Sequence, residues 1–369
     1  MPDIEIGMGK AARPAYGLDQ VSIVPSRRTR DLDDVDTGWE IDAFSFAAPI
    51  MASGMDSVVS PTTAVALGEL GSAGPLNLEG LWTRHDDPDA ILARVAVLPE
   101  DEAWAELRQA YAAPVRPELI RDRVKEIRGA GVVSCGSVTP HRVEALADAI
   151  VAAELDLLVI QGTVVSAEHV TKGDPDPLNL KTFVRRLDLP VIVGGCSSYR
   201  AALHLMRTGA AGILVGVGEG SSSSTRRVLG LGVPQATAIA DARAARMRHL
   251  DETGVYVHLV ADGGIRTGGD IAKAIALGAD AVMAGAAFAA ATEAPGRGWH
   301  WGQAAVHADL PRGTRAPVAQ VGTLAEVLHG PATDDTGSMN LVGALRRTMA
   351  LTGYASTKEL QKAELVVQG

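Results

Sequence analysis

Eight short apolar runs constrain this chain more than any other feature. They fall at residues 48–53, 72–76, 131–135, 156–160, 190–193, 211–215, 256–261 and 279–284, with helical patterns between most successive pairs. A run that is apolar throughout, rather than at alternate positions, reads as a strand buried on both faces, and such strands belong to parallel sheets covered by helices. Parallel strands also need long crossovers, which the helical stretches supply. Eight such units predict an α/β fold of the (β/α)8 TIM-barrel type. A doubly wound sheet would more often hold fewer strands and place its glycine-rich turn after the first; here the glycines gather after the later strands.

The expected helices cover residues 62–70, 118–129, 139–154 (with Thr139 as cap), 178–187, 198–208, 234–250 and 268–277, with a closing helix at 338–352. Residues 1–48 read as irregular and polar, and RRTRDLDD at 27–34 as a solvated face of mixed charge. Residues 77–116, rich in Asp, Glu, Trp and Pro, are too few for an ordinary inserted domain and read as a helical excursion or an extended loop. A long insertion after the eighth strand, about 295–337, reads as a flap over the barrel mouth. The expectation is therefore one barrel domain over residues 1–369.

Bulk composition excludes several classes. With 47% hydrophobic and 21% charged residues the chain can bury a large core. A net charge of −10 without a long basic cluster disfavours nucleic acid as a partner. No run approaches the ~18 apolar residues of a membrane span, and the N-terminal residues lack the apolar core of a signal peptide. Cys135 and Cys196, the only cysteines, end apolar runs, so no disulfide framework is indicated and a cytoplasmic location is expected.

Chemistry concentrates at the strand ends. VGVGEGSSSSTR, residues 215–226, places Gly216, Gly218 and Gly220 at alternate positions directly after an apolar strand, then four serines, a threonine and an arginine. Glycine permits positive φ and close approach of backbone to a ligand, and the hydroxyls add donors and acceptors. The bland alternative is a flexible surface loop. Asp262-Gly263-Gly264 ends the seventh strand, and Gly285 the eighth. Glycine amides at a helix start would seat an anion, and Asp262 could accept from two ribose hydroxyls. Barrels often bind phosphate at these two positions. A tight turn capped by Asp is the plainer reading of DGG.

Ser223, Ser224 and Thr225 read as hydroxyls that hold a ligand, because no Gly-x-Ser-x-Gly elbow or neighbouring base marks a nucleophile. His300, between Trp299 and Trp301, and His307 are candidate flap residues or stacked surface histidines. No HExxH or paired CxxC indicates zinc. Buried thiols are common in strands, so Cys135 and Cys196 are weak candidates for catalysis.

These motifs together resemble the IMP dehydrogenase/GMP reductase family along nearly the whole chain. The match lies in VSIVPS (21–26), PIMASGMDSVVS (49–60), the stretch from VGVGEGSSSSTR to GVPQATAIADA (215–242), VADGGIRTGGDIAKAIALGADAVMAG (260–285) and LVGALRRTM (341–349). The chain is similar to the short actinobacterial branch without CBS domains. The CBS pair would follow the second strand, where the excursion lies.

The resemblance implies an NAD(P)-dependent oxidoreductase acting at purine C2, from IMP to XMP or from GMP to IMP, and a homotetramer. Ser53 and Met55 would line the purine pocket. Ser221, Gly263, Gly264 and Gly285, with Ala286 beside it, would meet the phosphate, and Asp262 the ribose diol. Gln161, Gly162 and Thr163 would face the dinucleotide, and the carbonyls of Gly218 and Gly220 would hold potassium. Thr225 would help activate water or ammonia, and His300 and Trp301 belong to the flap. The chain departs from the pattern where it matters most: Ser223 stands at the position of the nucleophilic cysteine. Gln161 replaces an expected aspartate, Ala286 replaces a serine, and the Arg-Tyr pair of the dehydrogenase flap is absent. Non-redox chemistry on a purine nucleotide through Ser223 and Thr225, or nucleotide binding without turnover, are the alternatives.

Overall fold

The computed structural model describes residues 3–167, 179–306 and 313–368. Eight parallel strands form one sheet: Ile50–Ala52, Leu76–Asn77, Cys135–Val138, Leu157–Gln161, Val191–Cys196, Gly212–Val215, His258–Asp262 and Ala281–Ala284. Each pairs with its neighbours in sequence, and the eighth pairs with the first. The remaining seam, between first and second, closes through a parallel bridge from Met51 to Ala73 and a 2.6 Å bond from Ser72 Oγ to the Ile50 carbonyl. This is the TIM barrel expected from the apolar runs.

Alternation along the strands separates two layers. Met51, Leu157, Val159, Ile192, Leu214, Val260 and Met283 fill the barrel interior, whereas Leu158, Ile160, Val193 and Ile213 pack outward against the helices. Residues 3–48 are more ordered than their composition suggests. An antiparallel hairpin, Trp39–Ile41 with Phe44–Phe46, plugs the N-terminal end of the barrel. Trp39 stacks on Phe46 at 5.2 Å between ring centroids and meets His258, the first residue of the seventh strand, edge-on. Residues 27–34 are exposed, as their charges imply. Plugging one end leaves the C-terminal mouth as the open end.

Of the boundaries that depart from expectation, two do so for the same reason. The third strand starts at Cys135, because Ser134 before it is held by Asp156: backbone N and Oγ both donate to that carboxylate at 2.8 Å. Thr139 does not cap a long helix. Its N and Oγ1 donate to Glu79 at 2.6 and 3.1 Å, turns follow, and the helix spans only Ala147–Ala152. Competing side-chain acceptors took the backbone groups that local propensity assigned elsewhere. The excursion is helical, with Pro88–Val97 and Glu100–Ala112 side by side.

Candidate functional site at the barrel mouth

A cavity of about 1100 Å³ opens at the C-terminal strand ends. Ser53, Met55, Gln161, Gly162, Thr163, Gly218, Gly220, Ser221, Ser223, Thr225, Asp262, Gly263, Gly264, Gly285, Ala286 and His300 all line it. Of the residues singled out from sequence, Ser224 and Trp301 are not among them, and His307 lies outside the described residues.

The glycine loop is shaped by close approach. Gly216 has φ +149° and donates to the Cys196 carbonyl at 2.7 Å; an added Cβ would stand 1.9 Å from the Asp262 carbonyl oxygen. Only glycine fits there, so the loop after the sixth strand crosses directly over the end of the seventh. Gly263 and Gly264 follow with φ +94° and +78°. They are not the first turn of a helix: the next helix spans Gly268–Leu277, the expected bounds, and is capped by Thr267 and Asp270. The two glycines form an open concave turn instead, which is also a seat for anions. Gly285 caps the short helix Ala286–Ala289, and Ser53 N donates to the Ala284 carbonyl, tying the first strand's tip to the eighth's.

Two acidic side chains, Asp262 and Glu219, stand among these glycines, and Asp262 is the one at the strand end. Gln161 Nε2 donates to its Oδ2 at 2.9 Å, and burial pushes its pKa up to about 6, only partly offset by that bond. Ligand hydroxyls would restore the hydrogen bonds that burial removed. Glu219 is half-buried, with its carboxyl pushed up by burial, and pairs with Arg226 inside the same loop.

Ser223 is exposed and makes only local bonds among the described residues. Its N donates to the Gly220 carbonyl at 3.0 Å, its Oγ donates to Thr225 Oγ1 at 3.2 Å, and Thr225 N returns a bond to Ser223 Oγ at 3.3 Å. Among the described residues no imidazole, carboxylate or amine bonds to it. The thiols do not take its place. Both are buried, free and away from the cavity. Burial pushes Cys196 up to about 12 and Cys135 further still. Cys135 moreover opens its strand, at the end of the barrel opposite the cavity mouth.

The flap closes the far side. Trp299–His300 pairs antiparallel with Ala316–Pro317, and Gly313 bridges to Ser223, with Thr314 N donating to the Ser222 carbonyl at 3.0 Å. The excursion holds this flap down. Trp299 Nε1 donates to the Ala96 carbonyl at 3.0 Å. The Arg315 guanidinium lies 3.6 Å from the Trp299 ring centroid, bonds Glu100 at 3.0 Å and reaches the Val95 carbonyl. Trp301 turns away from the cavity; its indole donates to Tyr111 Oη at 3.2 Å, and its N donates to Ser57 Oγ. Met55 meets Gly302 from below. Asp56, Tyr111 and Arg315 were not singled out from sequence; Asp56 lies in a quoted motif, but no local pattern marks the other two.

A (β/α)8 barrel whose glycine-rich strand tips and Asp262 carboxyl face one large cavity has the architecture in which barrels often seat phosphorylated small molecules. The chain belongs to the IMP dehydrogenase/GMP reductase family: the model of the "IMP dehydrogenase / GMP reductase domain" matches residues 15–306. It is 52% identical over 373 residues to an uncharacterized oxidoreductase of Mycolicibacterium smegmatis, with 99% of each chain covered. An uncharacterized oxidoreductase of Mycobacterium tuberculosis H37Rv is also 52% identical, over 99% of this chain and 100% of that one. The inosine-5′-monophosphate dehydrogenase of Haemophilus influenzae is 35% identical over 69% of this chain but only 53% of its own length. The chain thus matches the shorter relatives end to end and the dehydrogenase over about half. A crystal structure of an IMP dehydrogenase/GMP reductase-like protein from Corynebacterium glutamicum superimposes with a TM-score of 0.93 at 45% identity, covering 99% of this chain and 97% of that one. Among the described residues no helix is long and apolar enough to cross a membrane.

Proposed function

We propose that this protein binds a purine nucleoside 5′-monophosphate at the tips of the sixth to eighth strands, with a nicotinamide dinucleotide in the adjoining lobe, for oxidation or reduction at purine C2. The observation that carries the reading is the convergence of Gly216–Ser221, Asp262–Gly264 and Gly285 on one cavity. Glycine amides and the Ser221 hydroxyl suit a phosphate, and Asp262 suits the ribose diol. IMP, GMP and XMP share both features.

The lobe has room for the second ligand, since about 1100 Å³ exceeds what a mononucleotide fills. Its donors are fewer than expected. Gly162 N donates to the Gly194 carbonyl at 2.8 Å and its own carbonyl accepts from Gly195 N at 2.9 Å, while the Gln161 amide serves Asp262. Thr163 remains to contact the dinucleotide, whose nicotinamide would supply the hydride donor or acceptor. NAD and NADP are both compatible with that contact. The chain's own work is to fix the ribose with Asp262, enclose the base under the flap and exclude water. Potassium fits less well: the Gly220 carbonyl already accepts from Ser223 N, and the Arg226 guanidinium lies against the same loop. No step here depends on a cation.

A second reading is favoured by the surroundings of Ser223, whose only side-chain partner among the described residues is Thr225. A serine without a base is a poor nucleophile, so nucleotide binding without redox turnover, or a non-redox reaction on the same base, follows from the same site. A thermal-shift panel of IMP, GMP and XMP, with and without NAD or NADP, tests the binding claim by mass action. Nicotinamide absorbance in the same mixtures separates redox from non-redox. Absence of a shift with every purine monophosphate refutes the proposal.

A further inference from the structure

Gln161 ends the fourth strand and Asp262 the seventh, and their side chains meet at the barrel mouth. Gln161 Nε2 donates to Asp262 Oδ2 at 2.9 Å and to Met283 Sδ, on the eighth strand, at 3.6 Å. One amide thus ties three strands together. Its orientation follows from chemistry: an ionised carboxylate only accepts, so the amide must turn its nitrogen toward it. Both amide hydrogens are then committed within the protein.

Among the described residues that bond is the only one the Asp262 carboxyl receives from a side chain, and it leaves Oδ1 for a ligand. The groups nearby do not replace it. Glu219 stands over Gly263 but pairs with Arg226. Arg266 and His300 line the cavity without bonding the carboxyl, among the described residues, and Gln235 reaches only the Asp262 backbone carbonyl, at 3.4 Å. Burial pushes the carboxyl up to about 6, and the Gln161 bond is what opposes that rise. A carboxylate held at one oxygen cannot turn freely, so the other oxygen keeps one direction. An acceptor fixed in this way loses little freedom when it meets the two hydroxyls of a ribose.

We propose that Gln161 is a positioning residue that orients the Asp262 carboxylate toward the ribose diol, and so sets the preference for a ribonucleotide over its 2′-deoxy analogue. This rests on the nucleotide reading above and deepens it. The family resemblance places Gln161 beside the dinucleotide; its hydrogen bonds give it to the nucleotide instead. An aspartate at this position would be one methylene shorter and would set a second negative charge against Asp262. The glutamine, longer and neutral, donates to that carboxylate.

The test compares IMP with 2′-deoxy-IMP by calorimetry on the full chain across neutral and mildly acidic pH, in wild type, Gln161→Met and Gln161→Glu. Both ligands carry the same phosphate, which itself titrates near pH 6, so the ratio of their affinities isolates the ribose contact. In wild type the ratio should fall as pH drops through about 6. Methionine fills a similar volume without a donor. Gln161→Met should weaken IMP roughly tenfold at neutral pH and 2′-deoxy-IMP by less than about threefold, and should move the fall of the ratio up by about one pH unit. Gln161→Glu keeps a donor only while the two carboxyls share a proton, so its ratio should peak and then decline as pH rises. Melting of the ligand-free variants checks that both are folded. Equal losses for both ligands, an unmoved pH profile in Gln161→Met, or a glutamate ratio that rises to a plateau as in wild type overturn the proposal while leaving the nucleotide reading standing. A loss confined to NAD or NADP would return Gln161 to the dinucleotide and overturn it too. Failure of wild type to bind IMP overturns both.

Discussion

The Tyr111 hydroxyl donates to Asp56 Oδ2 at 2.6 Å, joining the excursion to the loop behind the first strand. The same oxygen accepts from the Trp301 indole, so one hydroxyl links the excursion, the barrel and the flap. Asp56 also accepts from Asn77 Nδ2 at 3.2 Å, and burial pushes its pKa up to about 6, the hydrogen bonds from Tyr111, the Leu81 backbone and Asn77 offsetting only part of that rise. Tyr111→Phe removes a donor from a buried carboxyl and an acceptor from a buried indole. Such a loss costs about 1–3 kcal/mol. The expected outcome is a lower melting temperature and faster proteolytic cleavage within residues 295–337. Cleavage unchanged from wild type would show that the hydroxyl does not restrain the flap.

Asp262 makes stability depend on pH in a direction that can be fixed in advance. Its pKa rises from the ordinary 3.8 to about 6 on folding. Between those values the native state holds a proton that the unfolded chain has released, so stability falls as pH rises through that window. Asp262→Asn does not titrate. Ligand-free, it should match wild type near pH 4 and exceed it at pH 7.5, by on the order of 2–3 kcal/mol in urea titrations. Nucleotide affinity should fall in the variant at every pH. In wild type it should weaken as pH drops through about 6, because only the ionised carboxylate can accept from both ribose hydroxyls. A variant that is no more stable than wild type at pH 7.5 would refute the assignment of strain to this carboxyl.

Gly216 is where the loop's shape meets the barrel. Alanine there would combine a positive φ with a Cβ 1.9 Å from the Asp262 carbonyl oxygen, an atom of the barrel wall that cannot move aside. Backbone strain of this kind costs about 1–3 kcal/mol before the clash is counted. Gly216→Ala is expected to lower the unfolding midpoint by more than 3 kcal/mol equivalents, roughly, or to prevent soluble expression. Gly230→Ala is the control: it also has positive φ, at +68°, but a Cβ there meets nothing within 4 Å. Similar losses in both would mean that conformation, rather than contact with the seventh strand, sets the requirement.

The barrel was legible because its strands are apolar on both faces, and burial alone dictates that pattern. The glycine tips were legible because only glycine tolerates close crossing of backbones. What escaped depends on partners distant in sequence. Ser134 and Thr139 look like a strand and a cap until Asp156 and Glu79 claim their backbone groups. Trp39, Ile41, Phe44 and Phe46 sit in a stretch too polar overall to suggest order, yet their alternation makes a plug. Tyr111 reaches Asp56 across 55 residues, and Arg315 reaches Glu100 across 215. No window of sequence holds both ends of such a contact. His300 could be named as a flap residue, but its place over Gly285 is a matter of tertiary packing.

On the proposed reading, Ser223 is the residue on which redox chemistry at this site would turn. Its hydroxyl is exposed to the cavity and bonded only to Thr225 among the described residues, with no group placed to remove its proton. A cysteine in the same place would have a thiol pKa near 8.5, so a few per cent would be thiolate at pH 7, which is nucleophilic without a base. Ser223→Cys is therefore expected to raise NAD reduction with IMP, or NADPH oxidation with GMP, by at least about 100-fold over wild type, an easing of the barrier by about 2.7 kcal/mol. Intact-protein mass spectrometry should find a nucleotide adduct on the variant alone. Ser223→Ala should leave nucleotide affinity within about twofold of wild type, since the proposed phosphate seat is made by Ser221 and the glycine amides rather than by Ser223. If the cysteine variant binds nucleotide yet forms no adduct and shows no absorbance change, the geometry of this loop, and not the missing thiol alone, stands in the way of hydride transfer.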